Sequence, residues 1–378
     1  MIVPQDGGGF RVATFNASLN RAATGGLVTS LSTPDDPQAA NVAEIIQRVR
    51  PHVLLINEFD YVEGGEAVAL FRDNYLAVAH RGTDPIDYPY SFIAPSNTGV
   101  PSGFDLDNDG TVGGPGDAFG FGEFEGQYGM LVLSRFPIVT EDVRTFQKLL
   151  WAAMPDARLP DDPATPEPAD WFSAEELAVV RLSSKSHWDV PIDVDGRIVH
   201  LLASHPTPPA FDGDENRNGL RNADEIRLWA EYIAGADTAW IVDDAGVAGG
   251  LEAGASFVIA GDLNSDPLDG DSVEGAVQQL LDLDRVQDPL PSSEGAVVAS
   301  TEKGGSNADH RSDPAFDTAE FPSRAPGNLR TDYVLPSDDL QILAAGVFWP
   351  LPDDGLYRLV TTEPVASSDH RLVWVDLA

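Results

Sequence analysis

The sequence contains no cysteine and few basic residues, and both absences narrow the possible functions. Without cysteine the chain has no disulfides, no thiolate metal site and no cysteine nucleophile. It carries 23 Lys and Arg residues against 61 acidic ones, for a formal net charge of −38, and only Lys148, Lys185 and Lys303 are lysines. Such a surface repels polyanions, which argues against broad binding of long DNA. It suits cation binding, although general acidity without a functional role is an equally simple explanation for most of the charges.

Long hydrophobic runs are also missing from this 378-residue chain, which is 42% hydrophobic and can bury a substantial core. No apolar run reaches the length needed to cross a bilayer, so we expect no membrane span. No secretory signal follows Met1, and we expect a secreted or periplasmic protein whose signal peptide has been removed.

Strand-like and helix-like segments alternate along the whole chain without a clear boundary. This pattern predicts one α/β domain of the α+β type, with mixed sheets and long loops, over residues 10–378. Residues 1–9 are predicted to be a flexible tail. Long stretches near residues 80–127, 145–190 and 206–225 are predicted to be insertions.

Polar residues interrupt several apolar strands at their ends, where core packing does not require them. In Phe257–Pro267, Asp262 and Asn264 lie two residues apart and point to the same side of an extended chain. They can converge on a metal ion or a phosphate, although Gly, Asp, Asn and Pro also form ordinary turns. Because function concentrates at the ends of a rigid sheet, we interpret the strand ends together as one site. The other members are Asn16, Glu58, His205 and Ser367–His370.

These residue types favour one kind of chemistry. Carboxylate and amide oxygens suit Mg²⁺ or Mn²⁺, with Ca²⁺ as a further option. Two histidines add groups that titrate near neutral pH. Together they fit metal-assisted hydrolysis of a phosphoester.

Three motifs, GDLNSDP, TDYVLPS and SSDHRLV, occur in an order that resembles the endonuclease/exonuclease/phosphatase superfamily from Phe15 to the C terminus. The resemblance implies a DNase I-like four-layer sandwich, in which helices flank two mixed β-sheets. It also implies that His370 activates water while Asp332 orients it, and that His205 contacts the phosphate and takes part in proton transfer. The implied metal ligands are Asn16, Glu58, Asp262, Asn264 and Asp369, of which Asp262 and Asn264 also position the nucleophile.

The chain departs from the family pattern at a few positions. Asn57 replaces the usual Gln before Glu58, and His52 replaces an Asp between Pro51 and Val53. Neither change removes an implied ligand. The acid that some nucleases pair with His205 is not identified; the candidates are Glu123, Glu125 and Gln127.

Two loops have the spacing of calcium-binding loops. In DENRNGLRNADE, Asp214, Asn216 and Asn218 occupy the first, third and fifth positions, the carbonyl of Leu220 the seventh, and Glu225 the twelfth. A looser match contains Asp105, Asp107, Asp109 and, one position late, Asp117. We expect structural Ca²⁺ at one or both loops.

Substrate binding is harder to infer from sequence. Lys185, His187 and Arg330 are candidates for contacting a substrate phosphate, and a surface lysine beside a half-buried Trp is an equal alternative for Lys185. The leading hypothesis is a secreted, metal-dependent enzyme that hydrolyses small phosphomonoesters or phosphodiesters. A DNase I-like nuclease is the alternative, which the charge disfavours, and a catalytically idle, calcium-stabilised binding module is a third. No protein partner is evident.

Overall fold

The computed structural model describes residues 9–211, 213–235 and 238–378. Its helices are α1 (Gly26–Leu31), α2 (Pro37–Val49), α3 (Glu66–Phe71), α4 (Ala174–Leu177), α5 (Arg217–Ala234), α6 (Gln278–Leu281) and α7 (Glu294–Lys303). Its strands are β1 (Phe10–Asn16), β2 (Val53–Asn57), β3 (Tyr90–Phe92), β4 (Met130–Ser134), β5 (Arg144–Thr145), β6 (His187–Val194), β7 (Arg197–Ser204), β8 (Ser256–Asp262), β9 (Ala319–Glu320), β10 (Asn328–Leu329), β11 (Asp332–Pro336), β12 (Ile342–Val347) and β13 (Val373–Leu377).

Two mixed sheets form the centre of the fold. The first has the strand order β12-β13-β1-β2-β4-β3, and the second has the order β11-β8-β7-β6-β5. Strands β1 and β2 are parallel, as are β7 and β8, whereas β13 and β11 run antiparallel to their neighbours β1 and β8. The pair β9 and β10 forms a separate small ribbon.

The alternation of side chains along β8 shows how the layers stack. Val258 and Ala260 belong to the core shared with the first sheet and with α2. Phe257 and Ile259 point the opposite way, into the core that contains Trp229 of α5. Successive residues of a strand face opposite sides, so a strand covered on both faces reads as one continuous apolar run. The result is the expected sandwich of two mixed sheets flanked by helices.

Strand direction brings the polar strand ends to one edge of the sandwich. Asn16 and Asn57 are paired at the ends of parallel β1 and β2. Asp332, which begins β11, is paired with Asp262, which ends β8. Antiparallel β11 and β13 therefore begin where β1, β2, β7 and β8 end.

Some predicted features differ in the structure or cannot be compared with it. The sequence NADEIRLWAEYIAGA predicts a helix capped by Asn222, but Asn222 lies inside α5, and its amide donates to the carbonyls of Thr207 and Leu263. Of the predicted flexible tail, residues 1–8 lie outside the described part of the chain. The assignment of three insertions stays a prediction. In the described ranges, no helix combines the length and apolar character of a membrane span.

Candidate active site

Three oxygen-bearing side chains meet at the shared edge of the two sheets. Asn16 donates from Nδ2 to Glu58 Oε1 at 3.2 Å and to Asp262 Oδ2 at 3.0 Å. Asn16 and Asp262 are each 1% exposed, whereas Glu58 is partly exposed. Residues from different sheets thus present two carboxylates around one amide.

Two asparagines support this cluster. Asn20, which sequence reasoning missed, donates to Glu58 Oε2 at 2.8 Å. Asn57 accepts from the backbone N–H of Asp262 at 3.0 Å and donates to the Ser204 carbonyl at 3.3 Å. Asn57 therefore ties β2 to β7 and β8, and Asn20 steadies Glu58, whose φ of 60° is unusual for a residue with a side chain. The polar spacing in FNASLN was the available signal for Asn20.

His370 and Asp332 form the expected histidine–aspartate pair. His370 Nδ1 lies 2.9 Å from Asp332 Oδ2, so donation from Nδ1 leaves Nε2 directed towards Asp262 Oδ2, 3.6 Å away. Thr318, also missed from sequence, donates its hydroxyl to Asp332 at 2.8 Å. Asp332 is fully buried and therefore holds the ring in one orientation.

His205 approaches the same oxygen from β7. Its Nε2 lies 3.4 Å from Asp262 Oδ2. Its Nδ1 is buried without a hydrogen-bond partner in the described part of the chain, so Glu123, Glu125 and Gln127 do not pair with it. Gln127 instead donates to the Arg21 carbonyl at 2.8 Å.

The pKa values of Asp262 and His370 are shifted in opposite directions. Burial favours its neutral form, but His370, His205 and the hydrogen bond from Asn16 outweigh burial and hold the pKa of Asp262 below its ordinary value. Burial acts to lower the pKa of His370, yet the carboxylates of Asp332 and Asp262 raise it well above its ordinary value. The site therefore contains an ionised acid beside a proton-holding imidazole.

The two remaining predicted ligands are less tightly placed. Asn264, with φ of 51°, donates its side-chain amide to the Pro206 carbonyl at 3.1 Å, while its backbone N–H donates to Asp262 Oδ1 at 2.9 Å. Asp369 is partly exposed beside His370. Metal binding by both residues stays a prediction.

Comparison with known proteins identifies the family. A family model described as Endonuclease/Exonuclease/phosphatase family matches residues 13–370. The chain belongs to the endonuclease/exonuclease/phosphatase family. Members of this family are phosphoester hydrolases and typically use a divalent metal. No curated protein matches the chain in a sequence search.

Solved structures of the endonuclease/exonuclease/phosphatase fold resemble this chain over nearly its whole length. An endonuclease/exonuclease/phosphatase from Beutenbergia cavernae is 18% identical, with a TM-score of 0.50 over 98% of this chain and 71% of that one. A family protein from Leptotrichia buccalis is 12% identical, with a TM-score of 0.49 over 98% and 99%. A mannosyl-6-phosphatase from Bacteroides thetaiotaomicron is 11% identical, with a TM-score of 0.45 over 98% and 99%. These likenesses concern the fold.

The donor set fits a hard divalent cation. Within the described ranges, Glu58 forms hydrogen bonds to the amides of Asn16 and Asn20 but no ion pair. Glu58 and Asp262 therefore place two carboxylates on either side of the Asn16 amide, and carboxylate oxygens are ligands that Mg²⁺ and Mn²⁺ prefer. The oxygen of Asn16 accepts from the backbone N–H of Ser18 at 3.3 Å. Potential ligand atoms of Asp262, Asp332 and His370 also lie within 4.8 Å of one another. Oδ2 of Asp332 already accepts from His370 and Thr318, and the predicted role of Asp332 in orienting His370 stays a prediction.

The three predicted phosphate-binding residues have different surroundings, and a phosphate-binding role for Lys185 stays a prediction. Lys185 lines the same cavity as Glu58 and His205, and in the described ranges its side chain forms no hydrogen bond or ion pair, although its carbonyl accepts from the backbone N–H of Asn97. Burial lowers its pKa despite the nearby acids Glu225, Glu58 and Asp262. The prediction that His187 contacts the phosphate is wrong. His187 is fully buried, its ring contacts Ser183 and the Glu225 carbonyl, and burial lowers its pKa to about 4.

The prediction that Arg330 binds the substrate phosphate is also wrong. Its guanidinium is 5% exposed and forms a two-point ion pair with Asp288 at 2.8 and 2.5 Å. A guanidinium engaged in this way has no free face for a substrate phosphate.

The calcium-loop prediction for residues 214–225 is wrong. Helix α5 begins at Arg217, so Asn218 and Leu220 lie in helix instead of loop. Glu225 is fully buried and accepts from the backbone N–H groups of Ser184 and Thr207, each at 2.6 Å. With its carboxylate committed there, Glu225 cannot close a loop around Asp214 and Asn216. It instead fixes the two chain segments that carry Lys185 and His205.

The other predicted calcium loop keeps part of its expected geometry. Carboxylate oxygens of Asp105, Asp107 and Asp109 lie within 4.8 Å of one another. Asp117 instead accepts from the backbone N–H groups of Leu106 and Gly113, at 2.7 Å each, and so acts within the loop. Calcium binding by the three clustered acids stays a prediction.

This prediction can be checked by thermal unfolding. We expect Asp107→Asn to reduce the increase in Tm that Ca²⁺ causes relative to EDTA, because a ligand specific for the folded state stabilises it, by about 3 kcal/mol at a hundredfold excess over Kd. Asp214→Asn removes the same charge from the rejected loop and should keep the full calcium effect. Equal calcium effects in both variants and in the wild type would exclude a calcium site at Asp107.

Proposed function

We propose that this protein is a divalent-metal-dependent hydrolase of small phosphoesters. The observation that carries the proposal is the convergence on Asp262 Oδ2, which Asn16 contacts at 3.0 Å, His205 at 3.4 Å and His370 at 3.6 Å. Groups suited to binding metal, holding phosphate and moving a proton thus surround one point. An idle relative would be expected to have lost part of this set.

Each side chain has a distinct proposed role in hydrolysis. Glu58, Asp262 and the oxygen of Asn16 would hold the cation, with Asn264 and Asp369 as further ligands. The bound cation supplies positive charge against the phosphate oxygens. His205 is placed to donate from Nε2 to a phosphate oxygen, and Lys185 offers a second positive contact.

Proton movement in the proposed reaction centres on His370. Oriented by Asp332, the imidazole takes a proton from water through Nε2 as the water oxygen attacks phosphorus. The bond between phosphorus and the leaving oxygen breaks, and that oxygen takes a proton from solvent to leave as an alcohol. His370 must be neutral when it accepts the proton, and a cation held by Asp262 would supply the positive charge that favours the neutral imidazole.

The charge of the chain favours small substrates over DNA. Duplex DNA carries one negative charge per roughly 1.7 Å, so a nuclease needs several cations beside its cleft. Arg330 is engaged with Asp288, and Arg181, four residues before Lys185 in the sequence, donates to Asn97 Oδ1 at 2.6 Å. Lys185 alone suits one phosphate group rather than a polymer.

A turnover panel tests this proposal. We expect p-nitrophenyl phosphate or bis(p-nitrophenyl) phosphate to be hydrolysed with Mg²⁺, Mn²⁺ or Ca²⁺, and EDTA to abolish the reaction. Plasmid DNA should be cut weakly and with steep salt dependence. Efficient plasmid cleavage at physiological salt without turnover of small esters would favour the nuclease alternative, and no turnover of any substrate would refute hydrolysis.

A further inference from the structure

A large apolar cavity opens directly beside the proposed catalytic residues. It has a volume of about 770 Å³, and Glu58, Lys185 and His205 belong to its lining. Aromatic side chains form much of the remaining wall. They are Phe119, Phe121, Tyr128, Trp151, Phe172 and Phe211. A cavity of this size matches sites that enclose molecules of several rings or a long chain.

The cavity wall comes from the three segments that the sequence marked as insertions. Leu106 and Phe119 belong to the first, Trp151 and Val180 to the second, and Thr207 to the third. The strands of the two sheets contribute little to this lining. The cavity is thus formed mainly by the predicted insertions, next to the edge of the two sheets where the proposed catalytic residues lie.

Arg221 holds these segments together from α5. Its guanidinium donates to the carbonyl of Phe119 at 2.6 Å, to that of Arg181 at 2.7 Å and to that of Leu182 at 2.9 Å. Glu225, one turn along the helix, binds Ser184 and Thr207. Half-buried Arg221 and fully buried Glu225 satisfy backbone atoms of separate segments and so make a defined wall. The cavity is therefore a built feature of the fold.

Two aromatic side chains of the wall are unusually exposed. Phe211 is 91% exposed and Phe121 is 62% exposed. Large apolar side chains exposed beside a cavity favour an apolar ligand that covers them. Lys185 lines the same cavity near the proposed catalytic residues. The cavity therefore combines a positive charge that could bind a phosphate with an apolar wall.

We propose that the substrate is a phosphoester with one large apolar group, which lies in this cavity while the phosphate lies between Glu58, His205 and Lys185. This inference rests on the proposed function for the position of the phosphate. A long alkyl chain and a polycyclic aromatic group share the required chemistry. The cavity therefore provides selectivity through the apolar group.

Binding of hydrolysis-resistant phosphonates tests the inference separately from turnover. In Mg²⁺, titration calorimetry would compare methylphosphonate with decylphosphonate and 2-naphthylmethylphosphonate, below the concentration at which the decyl compound aggregates. We expect at least one large phosphonate to bind about tenfold or more tightly than the methyl compound, since each buried methylene favours transfer from water. The tighter of the two would identify chain or ring as the preferred group.

Variants locate the effect in the cavity. Phe121→Ala combined with Phe211→Ala should reduce the preference for the large phosphonate at least threefold, while methylphosphonate binding is unchanged. Leu343→Ala on β12, where the side chain is 49% exposed, is the matched control and should keep the preference. Equal affinities for all three compounds, or a preference that survives in the double variant, would overturn the cavity inference. Hydrolysis itself is tested separately, by the turnover of the phosphate esters described above.

Discussion

Replacing His370 with alanine, or Glu58 with glutamine, is expected to reduce hydrolysis by about 10²–10⁴-fold. His370→Ala removes the imidazole held by Asp332, and with it the proposed acceptor of the proton from water. Glu58→Gln removes one of two carboxylates proposed to hold the cation, while the amide oxygen of a residue of the same shape can still accept from one of the two asparagines, Asn16 or Asn20. Steady-state turnover of the best ester in the panel, at saturating metal, measures both effects.

A second histidine–aspartate pair provides the control for His370. His200 Nδ1 lies 2.7 Å from Asp189 Oδ1 on the second sheet, and neither residue lines the catalytic cavity. His200→Ala should keep most of the activity once its folding has been verified by circular dichroism. A folded His370→Ala or Glu58→Gln protein with near wild-type turnover would show that the site is misassigned.

The second large effect concerns stability and arises at Asp317. This carboxyl is 2% exposed and makes no hydrogen bond in the described ranges. Burial, together with the nearby acids Asp266, Asp269 and Asp313, raises its pKa from 3.8 to about 8. The folded state therefore keeps the proton that the unfolded chain releases, so the stability contributed by this group is complete below pH 3.8 and is lost as the pH rises towards 8.

Asp317→Asn should therefore stabilise the protein at pH 8 but not near pH 4. One pKa unit corresponds to about 1.4 kcal/mol, so the gain at pH 8 is expected to be a few kcal/mol. Urea unfolding in EDTA at both pH values measures it. Asp271→Asn, at an exposed neighbouring position, makes the same charge change and should have little effect. A variant no more stable than the wild type at pH 8 would contradict the assigned ionisation.

Sequence reasoning was effective where the signal was local. Asp262 and Asn264 stand out because acids and amides directly follow an apolar strand, and the order of three motifs predicted the family and the fold, which the comparisons confirm. The structure brings Asn16, Glu58, His205, Asp332 and His370 to the same edge. Their proximity follows from strand direction, which the motif order already implied.

The errors came from partners distant along the chain. Arg330 looked like a free cation, but Asp288, 42 positions away, engages it. His187 looked available beside Trp188, but β6 places it in the interior, and its partner carbonyl belongs to Glu225. The spacing around Glu225 matched a calcium loop, yet Ser184 and Thr207 decide what that carboxylate binds. Position-by-position spacing contains no information about such contacts.

The contacts of Asn57 show that the proposed site depends on the alignment of the two sheets. The single amide of Asn57 links the end of β2 to the ends of β7 and β8, so the catalytic edge is shared between two sheets that meet mainly through side-chain packing. Glu58 follows a strand of the first sheet and Asp262 ends a strand of the second, so a shift of one sheet against the other would change the distance between their carboxylates. Catalysis is therefore a more sensitive gauge of alignment between the sheets than any measure of helix or strand content. We therefore expect a change in the shared core that shifts one sheet against the other to reduce the proposed activity more than it reduces secondary structure.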